Sequence, residues 1–148
     1  MSDKKSLSAR KYLEQLQEID ININQEIERL AEMKSSISCT GAIDYSKDRV
    51  QTNPVNALEK RVCNYVDFEK RLNSHIDKFV DAKEQIIAEI RGLHHKHYIN
   101  ILYKIYVQFK SIREAAGEMK ISYSYAVELH KKALKAFSET YKNLYYLT

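Results

Sequence analysis

A chain of 148 residues with three glycines, one proline and 30% charged side chains lacks the turn residues that hairpins and sheets require, so it predicts an all-α protein and excludes a β-sheet fold. The length suits one domain, or an extended element plus a small module, and is too short for two full globular domains. Charge is uneven: through Leu93, 15 Lys+Arg oppose 16 Asp+Glu, net −1, and beyond it 9 oppose 4, net +5. A basic C-terminal segment suits a phosphate backbone, and it equally suits a solvated helical surface.

From Ala9 onward, Leu13, Leu16, Asp20, Ile23, Ile27, Leu30, Lys34 and Ile37 follow by alternating steps of four and three, a heptad seam starting just after Ser8 as N-cap. A loop is expected over about 39–53; it holds Gly41 and ends at Asn53 and Pro54, a cap and a first-turn proline. A second seam then runs through Leu58, Val62, Tyr65, Glu69, Leu72, Ile76, Phe79, Lys83, Ile86, Ile90 and Leu93. The two helices should span about 30 and 38 residues.

Charge interrupts each seam twice, at Asp20 and Lys34 and at Glu69 and Lys83. An antiparallel pairing sets Asp20 opposite Lys83 and Lys34 opposite Glu69, whereas a parallel one sets like charges together. The pattern therefore predicts a long antiparallel coiled-coil hairpin over residues 1–93. Two alternatives stand beside it: the four charges reach solvent individually, or the seams join two copies as a homodimer.

Residues 94–148 read as a separate module. Ile99, Leu102, Ile105, Tyr106 and Phe109 keep helical spacing until Lys110 and Ser111 interrupt it. Ser111 can cap a short helix, Ile112 to about Met119, whose apolar face is Ile112, Ala115, Ala116 and Met119. Ser122 caps the next, with Ala126, Leu129, Ala133 and Phe137 on one face. A connection as short as Lys120 and Ile121 forces the helices to cross, the organisation of a helix-turn-helix, although a generic bundle end has the same ingredients. The tail is read as prolonging the last helix, so that Tyr141, Leu144, Tyr145 and Leu147 pack against the hairpin or a partner.

The order Leu102, Tyr106, Ser111, Ile112, Ala116, Met119, Ile121, Ser122, Leu129, His130, Ala133 and Leu134 resembles region four of bacterial sigma factors. The whole chain, through "SARKYLEQLQEID", "DRVQTNP" and "SYSYAVELHKKAL", is similar to small phage and prophage proteins of Gram-positive bacteria, relatives of the RinA and ArpU regulators of late phage transcription. The resemblance implies binding of double-stranded promoter DNA and contact with RNA polymerase in the cytoplasm of a bacterial host. It implies that Tyr123, Ser124 and Glu128 meet base edges. Lys131, Lys132 and Lys135, with Lys110, Arg113 and Lys120 around the turn, are the phosphate candidates, though each is also an ordinary solvated side chain. No arginine falls among the base-edge positions. Lys110 and Lys120 stand where such proteins often carry glycine, and Lys120 is strained if the turn needs a positive φ.

His94, His95 and His97 form "HHKH" without a carboxylate or cysteine set at ligand spacing, so the cluster is read as a junction closing the second helix, with Gly92 as its break, rather than as a metal site. No cofactor is expected. Cys39 and Cys63 are isolated, with no signal peptide ahead of them, and read as reduced cytoplasmic thiols. No apolar run reaches the roughly 18 to 20 residues of a membrane span. No glycine-rich phosphate loop or catalytic triad pattern is visible, so an enzyme is not expected. The competing functions are an adaptor that acts on RNA polymerase or another phage protein without binding DNA, and a small DNA-packaging subunit.

Overall fold

The computed structural model describes residues 6–38 and 54–147; the loop expected over 39–53, with Cys39 and the Asn53 cap, lies outside the described residues. Among the described residues every regular element is helical: α1 (Ala9–Ser38), α2 (Pro54–Arg91), α3 (Lys96–Leu102) running into a π-helical turn (Tyr103–Val107), α4 (Ile112–Met119) and α5 (Tyr123–Thr140). The lengths of α1 and α2, 30 and 38 residues, match the heptad reading. Ser8 opens α1, its Oγ accepting from Lys11 N at 3.4 Å, and Pro54 is the first residue of α2, where a missing N–H leaves no bond unmade.

Compactness divides the chain into residues 1–21 with 79–148, and residues 22–78. The change of sequence pattern at Leu93 marks a different line, because the ends of both long helices pack with everything that follows. Within the first unit, Leu13, Leu16, Ile86 and Ile90 have no exposed surface. Lys83 Nζ lies 2.7 Å from Asp20 Oδ1, the pairing expected from an antiparallel register, and Tyr12 donates to Glu89 Oε2 at 2.6 Å. Rising numbers in α1 meet falling numbers in α2, so these two segments run antiparallel. Tyr12, Gln15 and Ile19 are buried outside the heptad seam. A second covered face of α1 requires a further layer, and Phe137 of α5, its ring centroid 5.9 Å from that of Tyr12, belongs to it.

In the unit of residues 22–78 the described residues belong to two helices only, and burial is correspondingly thin. Leu72 is buried, and the Arg29 guanidinium lies over the Phe68 ring at 5.3 Å, while Ile27, Leu58, Val62 and Val66 remain exposed. A helix pair without a third layer covers one narrow stripe of each partner.

The C-terminal helices pack through small residues. Ala115, Ala116, Ala126 and Ala133 are buried, allowing the axes of α4 and α5 to approach closely, and α3 packs on α5 as well. Two expectations fail here. Helical spacing does not continue to Phe109: the π turn inserts a residue, with Gln108 N donating to Tyr103 O, and Phe109 takes a left-handed φ of 55° and stays 42% exposed. The positive φ after the supporting helix thus falls on Phe109 rather than Lys110. Nor does the tail extend α5. The helix ends at Thr140, Tyr141 is extended, and 141–147 continue without helical structure.

Side-chain fit explains where the tail goes. The Tyr141 hydroxyl donates to Glu89 O at 2.9 Å, and a Cβ on Gly92 would stand 2.5 Å from that hydroxyl. Gly92 is therefore a seat for Tyr141, with an ordinary φ, and the left-handed residue closing α2 is His94. Leu144 is buried, its carbonyl accepting from Leu7 N, and Leu147 N donates to the buried Gln15 Oε1. The tail packs on the start of α1 through Leu144, in an extended rather than a helical form, while Tyr145, expected to pack as well, is exposed.

The Asp20–Lys83 contact yields a quantitative expectation. Both side chains are about a third exposed, so a double-mutant cycle to alanine should give a coupling of about 1 kcal/mol or less, and Asp20→Lys with Lys83→Asp should recover most of the loss from either reversal alone. Urea denaturation of the wild type and the six variants checks this. Full additivity would remove the pair from the account of the register.

Candidate nucleic-acid interface

Local capping sets the geometry of the site. Ser111 Oγ accepts from Glu114 N at 3.2 Å while Ser111 N donates to Glu114 Oε2 at 2.8 Å, a reciprocal capping box that starts α4. The Ser111 N–H first, and then its hydroxyl, which lies 3.0 Å from Glu114 Oε2, hold the Glu114 carboxyl below its usual pKa. Ser122 Oγ accepts from Tyr125 N to start α5. Between them Lys120 adopts φ 56°, ψ 42°, with its N–H on Gly117 O and Ile121 N on Ala116 O, the two bonds of a Schellman closure. The strain foreseen at Lys120 is present.

Helical geometry then sorts the α5 residues. At about 100° per residue, Ala126, Leu129, His130, Ala133 and Phe137 share one arc, and all are buried. Ser124, Glu128, Lys131, Lys132 and Lys135 share the opposite arc, and all are exposed. Tyr123 lies off that arc and is 52% exposed, with the Arg113 guanidinium 5.5 Å from its ring centroid. Lys120 is exposed in the turn. Lys110 differs from the other cations: its Nζ and that of Lys104 each lie 2.5 Å from a Glu118 carboxylate oxygen, and these two partners, Lys104 first, lower the Glu118 pKa. A phosphate would compete with Glu118 for Lys110. It would meet no such competition at Lys131, Lys132 or Lys135, which have no carboxylate partner among the described residues.

A buried polar pair behind this face is not foreseen from the sequence. Tyr106, in the π turn, and His130 share a hydrogen bond of 2.9 Å with both residues buried. Burial lowers the His130 pKa, helped by the charge of Arg10; burial also pushes Tyr106 up to about 12, against the pull of Arg10 and with the push of Glu14. A polar residue beside Leu129 on the inner arc is the one available sequence signal, since such a residue must find a partner there.

The histidine cluster has a structural use. His95 Nδ1 accepts from Tyr98 N at 3.4 Å as the N-cap of α3, and its ring stacks on Tyr98 at 3.9 Å. Among the described residues no group of three His, Cys, Asp or Glu could hold a metal ion, and no helix is long and apolar enough to cross a membrane. Cys63 is an exposed free thiol. No family model, curated protein or solved structure matches the chain.

Two outcomes are expected at the site. Lys120→Gly relieves the left-handed conformation and should stabilise the protein by about 0.5–1 kcal/mol, seen as a higher urea midpoint at unchanged slope. The His130 pKa in the folded state lies below its unfolded value of 6.5. Below that value the unfolded chain takes up a proton that the folded one refuses, so the stabilisation present above it is lost as pH falls through the folded pKa. Unfolding free energies measured between pH 7.5 and 5 should decline toward acid, and His130→Gln should flatten the decline.

Proposed function

We propose that the chain is a phage or prophage transcription regulator, in which α4 and α5 form a helix-turn-helix that binds double-stranded promoter DNA and α1 and α2 form the antiparallel hairpin that carries it. The observation that carries this reading is the two-sided character of α5: a fully buried inner arc opposite an exposed arc holding Ser124, Glu128, Lys131, Lys132 and Lys135. A helix so anchored can enter a major groove without repacking. Its lysines then neutralise phosphates while Ser124 and Glu128, near its start, meet base edges. RNA polymerase would be approached from the same promoter.

The exposed Ile27, Leu58, Val62 and Val66 favour a second reading, in which residues 22–78 bind a protein, whether RNA polymerase, another phage protein or a second copy. Fluorescence anisotropy titrations against phage promoter fragments at several salt concentrations separate the two. DNA binding predicts that Lys131→Ala with Lys132→Ala weakens all sequences alike and lowers the salt slope by up to about two, whereas Ser124→Ala shifts preference among sites by about 1–3 kcal/mol, the worth of one good hydrogen-bonded base. Absence of salt-dependent binding by the wild-type chain would transfer the proposal to the adaptor reading. A ring-shaped oligomer would favour a packaging subunit.

A further inference from the structure

Arg113 is the second residue of α4 and Tyr123 the first of α5, ten positions apart in sequence, yet the guanidinium lies over the ring with its central carbon 5.5 Å from the centroid. That is within the roughly 6 Å at which a cation is held by an aromatic face. Both side chains are exposed, and Arg113 has no carboxylate partner among the described residues, unlike Lys104 and Lys110 on Glu118. An arginine that has only a ring beneath it keeps its donors available while losing much of its rotamer freedom. Less freedom then remains to be lost on binding.

We infer that Arg113 reads a guanine through its O6 and N7, with Tyr123 as the positioning residue that holds the guanidinium at the start of α5. The inference rests on the DNA-binding reading above. Its chemistry is specific: the planar fork matches the two guanine acceptors in the major groove, and a side chain without donors at this position makes neither bond. This supplies the arginine that the base-edge positions lack in sequence. It also separates Arg113 from Lys131, Lys132 and Lys135, whose partner is the backbone.

Selection of bound duplexes from a randomised library, using the full chain, tests this. Wild type should enrich a site with one position held as guanine. Arg113→Ala should bind with that position relaxed, its discrimination falling about 5- to 150-fold, and 7-deazaguanine there should lower wild-type affinity without affecting the variant. Tyr123→Ala should weaken the same preference while leaving the salt slope unchanged. Thermal melts of the variants confirm folding. Retention of the guanine preference by Arg113→Ala, with an even loss across all sequences and a salt slope lower by about one, makes Arg113 a phosphate contact and overturns the inference alone. Binding by the wild type without sequence preference does the same. No salt-dependent binding by the wild type overturns it together with the reading it rests on.

Discussion

The burial of Phe137 ties the first helix of the chain to the last. Its ring has no exposed surface and lies 5.9 Å from that of Tyr12 and 4.9 Å from that of Tyr141. Tyr12 reaches Glu89 through its hydroxyl, and Tyr141 reaches the Glu89 carbonyl over Gly92. Three aromatic rings thus join α1, α2, α5 and the tail around one glutamate. Aromatic residues at such a junction bring large buried area together with a polar tip that must find a partner, and each tyrosine here has one. Because the inner arc of α5 is consumed by this core, its outer arc is left rigidly presented.

Much of this is legible in the sequence where local chemistry decides structure. Heptad steps, Ser8, Pro54, Ser111 and Ser122 locate the starts of four helices, and the matched charge breaks anticipate the Asp20–Lys83 contact. What the sequence hides is set by distant partners. The π turn at Tyr103 has no local signature, and it carries Tyr106, whose hydroxyl meets His130 of α5. The tail carries helix-compatible residues, yet Tyr141 leaves the helix for a seat made by Gly92 on α2. Gly92 ends α2 in a turn, as a glycine there suggests, and it also marks a close approach that the sequence does not announce.

The candidate site is legible by composition and not by arrangement. Exposure of Ser124, Glu128 and the three α5 lysines follows from periodicity against Ala126, Leu129, Ala133 and Phe137. The engagement of Lys110 by Glu118 and the stacking of Arg113 on Tyr123 do not, since each pair joins residues whose proximity depends on how α4 is seated. Two side chains of one charge and similar length thus acquire different surroundings: Lys110 meets Glu118 ahead of the turn, whereas Lys120, left-handed, closes the turn across which Arg113 meets Tyr123.

The tail bonds that fasten residues 142–147 to residues 6–15 span between 132 and 138 positions of chain. Synthesis is vectorial, so at about 5–20 residues per second the start of α1 waits roughly 7 to 28 s for the tail that completes its cover. During that interval Tyr12, Leu13, Leu16 and Ile19 lack the burial they have in the finished unit. Joining the tail to α1 is therefore a long-loop closure whose entropy slows it more than it weakens the product.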